Sequence, residues 1–194
     1  MRILYVGQLT PDRGLHTVIE ALADLDPGSR SRIALSVAGA GQVEYERRVK
    51  EQVEALRLTD CVTFLGKVPH GDMPRLYKAH DLLVFPSMRD EGLPLTMVEA
   101  MLAGCAVVTT GSGGAMEVAR VADLPLFPKG DAVALARMLE SMAAHPEEVR
   151  EVASRGQKIA LRDFSVGRMM ERWLATLDRI HQQASTTPRT VRPR

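Results

Sequence analysis

Leu82-Leu83-Val84-Phe85-Pro86-Ser87-Met88-Arg89-Asp90-Glu91-Gly92-Leu93-Pro94-Leu95-Thr96-Met97-Val98-Glu99-Ala100-Met101-Leu102-Ala103-Gly104, followed after one residue by Ala106-Val107-Val108-Thr109, is the stretch that decides the fold. Four apolar residues without alternation read as a strand covered on both faces, and a second such run closes the stretch. Between them, Leu95 to Ala103 reads as a helix ended by Gly104. Two buried strands joined through a helix form the unit of a parallel sheet.

The same alternation extends on both sides. Apolar runs at Arg2 to Gly7, Ile33 to Ala38, Val62 to Leu65 and Leu124 to Phe127 add four strands, giving six with the two above. Helical patterns fall near Gly14 to Leu25, Glu44 to Leu56, Met73 to Ala79 and Ala115 to Ala119. The reading is an α/β fold, a doubly wound, Rossmann-like parallel sheet of six strands. After Pro128 the chain becomes purely helical. Asp131 serves as an N-cap, a helix runs from Pro146 to about Leu161, and Ser165 caps a last helix. That last helix carries Met169, Met170, Trp173, Leu177 and Ile180 on one side, a stripe that needs a cover. The expected organisation is a Rossmann-like domain over 1–164, a terminal helix over 165–183 and a disordered tail over 184–194.

The 194 residues suffice for one domain with a sizeable core. The formal charge of +1, from 25 basic and 24 acidic residues, provides no global field for nucleic acid or anionic membrane, so any anionic ligand must be held locally. Cys61 and Cys105 sit beside apolar residues and read as buried free thiols. No two of the five histidines lie three or four residues apart, so a zinc site is not expected. The N-terminal residues are too short in apolar run for a signal peptide, and no run spans a bilayer, which implies a cytoplasmic setting. The first strand begins at residue 2, as if an upstream domain were supplied elsewhere.

Open parallel sheets bind ligands at the carboxyl ends of their strands. After the first strand, Gly7-Gln8-Leu9-Thr10-Pro11-Asp12-Arg13-Gly14 combines two glycines, a helix start and a cationic fork, which suits a diphosphate and equally fits an ordinary turn. The second strand ends in Gly39-Ala40-Gly41, a turn that lets a base or ribose lie on the backbone, or simply turns. Glu99 is the only charge between Glu91 and Gly104; on so apolar a helix a carboxylate calls for strong hydrogen bonds, such as those from a sugar diol, unless it faces solvent. Glu91, eight positions earlier, could face the same crevice. Thr110-Gly111-Ser112-Gly113-Gly114 suits either an anion at a helix start or a flexible connection.

These segments together resemble the C-terminal domain of the group-one glycosyltransferases, the retaining family 4 enzymes of GT-B fold. The likeness covers nearly the whole chain. Its most specific part is Glu91-Gly92-Leu93-Pro94-Leu95-Thr96-Met97-Val98-Glu99-Ala100-Met101, similar to the family's two glutamates separated by seven residues. The resemblance implies that Glu99 bonds the donor ribose. Glu91, as the catalytic carboxylate, meets the sugar or phosphate with the backbone of Gly92, Leu93 and Leu95. Arg13 neutralises the diphosphate, Gly7, Gly14, Gly39 and Gly41 belong to turns that match the family's donor-binding ones, and the base lies near Gly66 and Lys67. It further implies a UDP- or GDP-sugar as substrate, no metal and no other cofactor, because helix N-termini and basic side chains carry the leaving-group charge. The partners it implies are a nucleotide-sugar donor, a carbohydrate or glycolipid acceptor and a missing N-terminal acceptor-binding domain, with no nucleic acid. Any contact with the inner face of the membrane falls to that missing domain, and the terminal helix crosses to it. Gln8 departs from the family's usual arginine, and Arg13 replaces its usual lysine with the charge kept. A non-catalytic interaction domain or a GT-B nucleotide-sugar epimerase stand as the alternative readings.

Overall fold

The computed structural model of the chain describes residues 1–186. Its strands are β1 (Arg2–Val6), β2 (Ala34–Ala38), β3 (Val62–Gly66), β4 (Leu82–Phe85) and β5 (Ala106–Thr109), all parallel and ordered β3-β2-β1-β4-β5. Arg2 to Val6 pair in register with Ala34 to Ala38, and Leu82 to Phe85 with Ala106 to Thr109. The helices are α1 (Leu15–Asp24), α2 (Pro27–Arg30), α3 (Val43–Ala55), α4 (Met73–Lys78), α5 (Leu95–Leu102), α6 (Gly114–Ala122), α7 (Ala132–Ala144), α8 (Pro146–Asp163) and α9 (Val166–Thr186).

Crossovers from β1 through β3 step one way across the sheet and those from β3 through β5 step back. Right-handed connection therefore puts α1 and α3 on one face and α4 and α5 on the other. The packing agrees, since α1 touches α3 and α7 while α5 touches α4 and α8. With both faces covered, Ile3, Leu4, Leu82, Leu83, Val107 and Val108 are fully buried, each contributing roughly 2 kcal/mol of apolar burial. This explains why the strands show no polar alternation.

Five strands form where six were expected. Leu124 to Phe127 follows β5 but makes only an isolated bridge, Leu126 to Thr109, with the Phe127 N–H donating to Thr109 O at 3.1 Å. Pro125 and Pro128 flank that bridge, and neither has an N–H to extend a ladder. Asp131 caps α7 through Ala134 N–H at 2.8 Å, and Ser165 Oγ accepts from Arg168 N–H at 3.2 Å, both as the sequence suggests. The terminal helix continues to Thr186, three residues past its expected end; the remainder of the expected disordered tail lies outside the described residues. Cys61 and Cys105 are free; Cys105 is buried, whereas Cys61 is only partly so. Burial pushes the Cys105 thiol up to about 12, so it stays protonated and unreactive.

Candidate functional site

The strand order reverses between β1 and β4, the two central neighbours, so the loops after them part to opposite faces and leave a crevice. Those are the loops carrying Arg13 and Glu91. The two residues, 78 positions apart in sequence, form an ion pair through Arg13 Nη1 and Glu91 Oε1. Both side chains are mostly buried. Ser87 Oγ donates to the same carboxylate oxygen at 3.0 Å, and Arg89 Nε stands 3.7 Å from it. Arg13 Nε is buried and has no acceptor among the described residues. Asp12 beside it is held below the usual carboxylate range, first by the hydrogen bond from Thr10 Oγ1 at 2.5 Å and then by Arg89.

Toward β2 and β3 the crevice opens into a recess of about 510 Å³ lined by Gly7, Gln8, Gly39, Gly41, Lys67 and Met73, among others. Gly66 adjoins it, its carbonyl accepting from Gly39 N–H at 2.8 Å. Glu99 lies elsewhere. It is half-buried in a neighbouring recess of about 300 Å³, with Tyr77, Met73 and His70. Met73 lines both recesses, so the two meet across its side chain. Tyr77 Oη donates to Glu99 Oε2 at 3.0 Å. Burial first, and then the Glu99 charge, push the Tyr77 hydroxyl above the ordinary phenol range, which keeps it a donor. Gly92, Leu93 and Leu95 are exposed where α5 begins, and no side chain caps that helix. Its N-terminal end therefore presents backbone N–H groups beside the Arg13–Glu91 pair.

Three glycines of the site have a reason other than ligand approach. A Cβ on Gly14 would stand 2.2 Å from Pro86 O, on Gly39 1.8 Å from Gly7 O, and on Gly41 2.2 Å from Leu9 O. The strand-end loops are thus pressed backbone to backbone. The Gly111 to Gly114 loop, read from sequence as an anion loop or a flexible link, is another such contact. Gly114 N–H donates to Glu91 O at 2.7 Å, and a Cβ on Gly114 would stand 1.9 Å from Gly92 O. It braces the Glu91 loop. Behind it Thr110 and Ser112 donate to Ser87 O at 2.5 and 2.7 Å. Sequence reasoning missed Tyr77 and Ser87, since a tyrosine on a short helix and a serine after a strand carry no spacing that marks a partner.

Among the described residues no helix is long and apolar enough to cross a membrane, and no group of three or more His, Cys, Asp or Glu could hold a metal ion.

A doubly wound parallel sheet with charged residues of two loops meeting at its switch point defines an α/β domain of ligand-binding type. The sequence profile described as "Glycosyl transferases group 1" matches residues 2–159, and the chain belongs to that family. It is 30% identical over 185 residues to a putative colanic acid biosynthesis glycosyltransferase of Escherichia coli, covering 91% of this chain and 44% of that protein. It is also 30% identical over 178 residues to a 2-deoxystreptamine glucosyltransferase of Streptomyces kanamyceticus, covering 91% and 45%. Among solved structures it is similar to Anabaena HepE in complex with UDP, with a TM-score of 0.82, 29% identity, and 91% of this chain on 48% of that one. The fold also matches the C-terminal domain of a group 1 glycosyl transferase of Francisella tularensis, at TM-score 0.77 and 20% identity, over 85% and 86% of the two chains. The chain therefore has the architecture of one half of a GT-B protein, and it spans less than half the length of the first relatives it matches.

Proposed function

We propose that the chain is the donor-binding lobe of a retaining glycosyltransferase, binding a UDP- or GDP-sugar at the strand-end crevice and transferring the sugar once joined to an acceptor-binding domain. Arg13 carries this reading. One of its guanidinium nitrogens is neutralised by Glu91, while Nε is buried without an acceptor, and both stand at the mouth where the sheet reverses. An unpaired buried donor costs about 1–3 kcal/mol, which an incoming phosphate oxygen relieves. The diphosphate then lies between Arg13 and the N-terminal end of α5, the base toward Gly39 and Lys67, and the ribose across Met73 toward Glu99. Support comes also from HepE, solved with UDP and with UDP-glucose. Polysaccharide assembly is the role that the colanic acid and amylovoran relatives suggest.

As the leaving diphosphate departs, Arg13 and the α5 N–H groups stabilise its growing charge, while Glu91, at the α5 entry, faces the sugar. No metal takes part in this reading. Transfer needs donor and acceptor aligned in a cleft between two domains, so the chain alone binds donor without turning it over. The test is calorimetric titration with UDP and GDP in excess EDTA, with a transfer assay beside it. One of the two diphosphates binding unchanged by chelation is the expected result. Binding of neither, or binding that returns only with magnesium, overturns the reading.

A further inference from the structure

We infer that Tyr77 is the residue that sets the Glu99 carboxylate for a ribose diol, a positioning role resting on the proposed assignment of Glu99 to the ribose. Tyr77 is 1% exposed, and its hydroxyl, the only polar atom its side chain has, is spent on Glu99 Oε2 at 3.0 Å. Glu99 in turn sits on a helix whose other residues from Leu95 to Leu102 carry no charge, and among the described residues no α5 side chain hydrogen-bonds its carboxylate. The tyrosine is on α4, and Met73, the residue joining the two recesses, lies one helical turn before it on the same face. A ligand lying across Met73 thus meets a carboxylate whose plane is already fixed from behind.

The geometry fits a vicinal diol. A carboxylate has about four acceptor positions. Tyr77 takes one on Oε2, which leaves Oε1 and the remaining lone pair of Oε2 for two neighbouring hydroxyls. Without the phenol, the carboxylate of Glu99 can rotate about its last torsion, which is broad and weakly restrained. Freezing that rotation before the ligand arrives favours binding by removing an ordering cost. Because the phenol stays protonated through the physiological range, the restraint does not depend on pH.

The test compares UDP with its 2′,3′-dideoxy analogue by titration of this chain. Wild type should bind UDP more tightly, and Tyr77→Phe should lose about three- to tenfold on UDP and nothing on the dideoxy compound. Phenylalanine keeps the ring volume, and the melting midpoint of the variant monitors the fold. Glu99→Gln supplies a second variant. In its background, Tyr77→Phe should leave the ratio of the two affinities unchanged, since the pair acts as one unit. Equal loss on both ligands, or an additive loss in the double variant, would show that Tyr77 acts through the fold alone. If wild type discriminates and Tyr77→Phe leaves the ratio intact, Tyr77 has no positioning role and the Glu99 assignment survives. If wild type itself does not distinguish the two compounds, the Glu99 assignment fails and the role of Tyr77 falls with it.

Discussion

Arg13 and Glu91 neutralise each other across the crevice, with Ser87 donating to the same Glu91 oxygen. An arriving diphosphate must therefore compete with a carboxylate for the guanidinium. Glu91→Gln removes the competitor and one negative charge from the site, so UDP should bind several-fold more tightly to that variant. Arg13→Ala should weaken UDP at least about tenfold, as expected for loss of a charge-assisted bond, while barely changing uridine. Titrations at two ionic strengths check both, because only the contact between full charges is appreciably screened. Equal weakening of UDP by the two substitutions would contradict the competition.

The loop contacts make a second test. Gly114→Ala puts a Cβ 1.9 Å from Gly92 O, and Gly39→Ala puts one 1.8 Å from Gly7 O with φ at 145°. Each should cost about 1–3 kcal/mol, from overpacking, and impair UDP binding by moving the loops. Gly71 has open space around its Cβ position and an ordinary φ. Gly71→Ala should be neutral or stabilise by about 0.5 kcal/mol through the unfolded chain. Urea midpoints for the three variants decide the matter, and a Gly114→Ala protein as stable as wild type would remove the bracing role.

The glycines also show where reading the sequence reaches its limit. Buried parallel strands announce themselves through apolar runs, so the central strands and the class of fold were legible, and the edge strand β3, mostly exposed, followed from Val62, Phe64 and Leu65. That Arg13 and Glu91 both follow strand ends was legible too, whereas their meeting at the switch point needed the strand order. What was not legible is contact between distant segments. Nothing local says that Gly114 lies on Gly92, or that Tyr77 reaches Glu99 from another helix. Leu124 to Phe127 misled in the opposite way, since its apolar run satisfied the strand pattern while Pro125 and Pro128 removed the donors a ladder needs.

A pH dependence follows from His16 on α1. Its Nδ1 is 3.0 Å from Tyr45 Oη, which also accepts from His16 N–H at 3.2 Å, so the ring's nearest partner is an uncharged phenol that offers a protonated imidazole no counter-charge. Burial chiefly lowers the His16 pKa from its ordinary value, with Arg48 adding to it and Glu20 opposing. The unfolded chain, titrating near 6.5, then binds more protons than the fold below that pH. Stability from this group is complete above about pH 6.5 and is lost as pH falls toward the lowered folded value. Denaturation midpoints from pH 8 down to 5 should fall less steeply for His16→Gln than for wild type. A parallel pair of profiles would mean that His16 is solvated and free to charge.

The terminal helix gives the last prediction. Every side chain described on α9, Val166 to Gln183, is exposed, and the helix packs only lightly on α8. Yet Met169, Met170, Trp173, Leu177 and Ile180 all stand on one side of it. A face of this kind contributes little to the stability of the domain that bears it, because about half or more of each of these side chains stays in water. Ending the chain after Phe164 should therefore shift the melting midpoint by only about 2 °C, the scale of an ordinary surface change in a domain of this size. Trp173, the single tryptophan, is 61% exposed and should emit as a solvated indole in this chain. Under the proposed reading the stripe is covered by the acceptor-binding domain, so the same tryptophan should shift to the blue when that domain is present. Trp173→Ala with Leu177→Ala should leave UDP binding to this chain unchanged and lower its uptake of an apolar dye. A large fall in melting midpoint on truncation, or a blue-shifted Trp173 in this chain alone, would show instead that α9 folds back onto the domain and that its stripe is already covered.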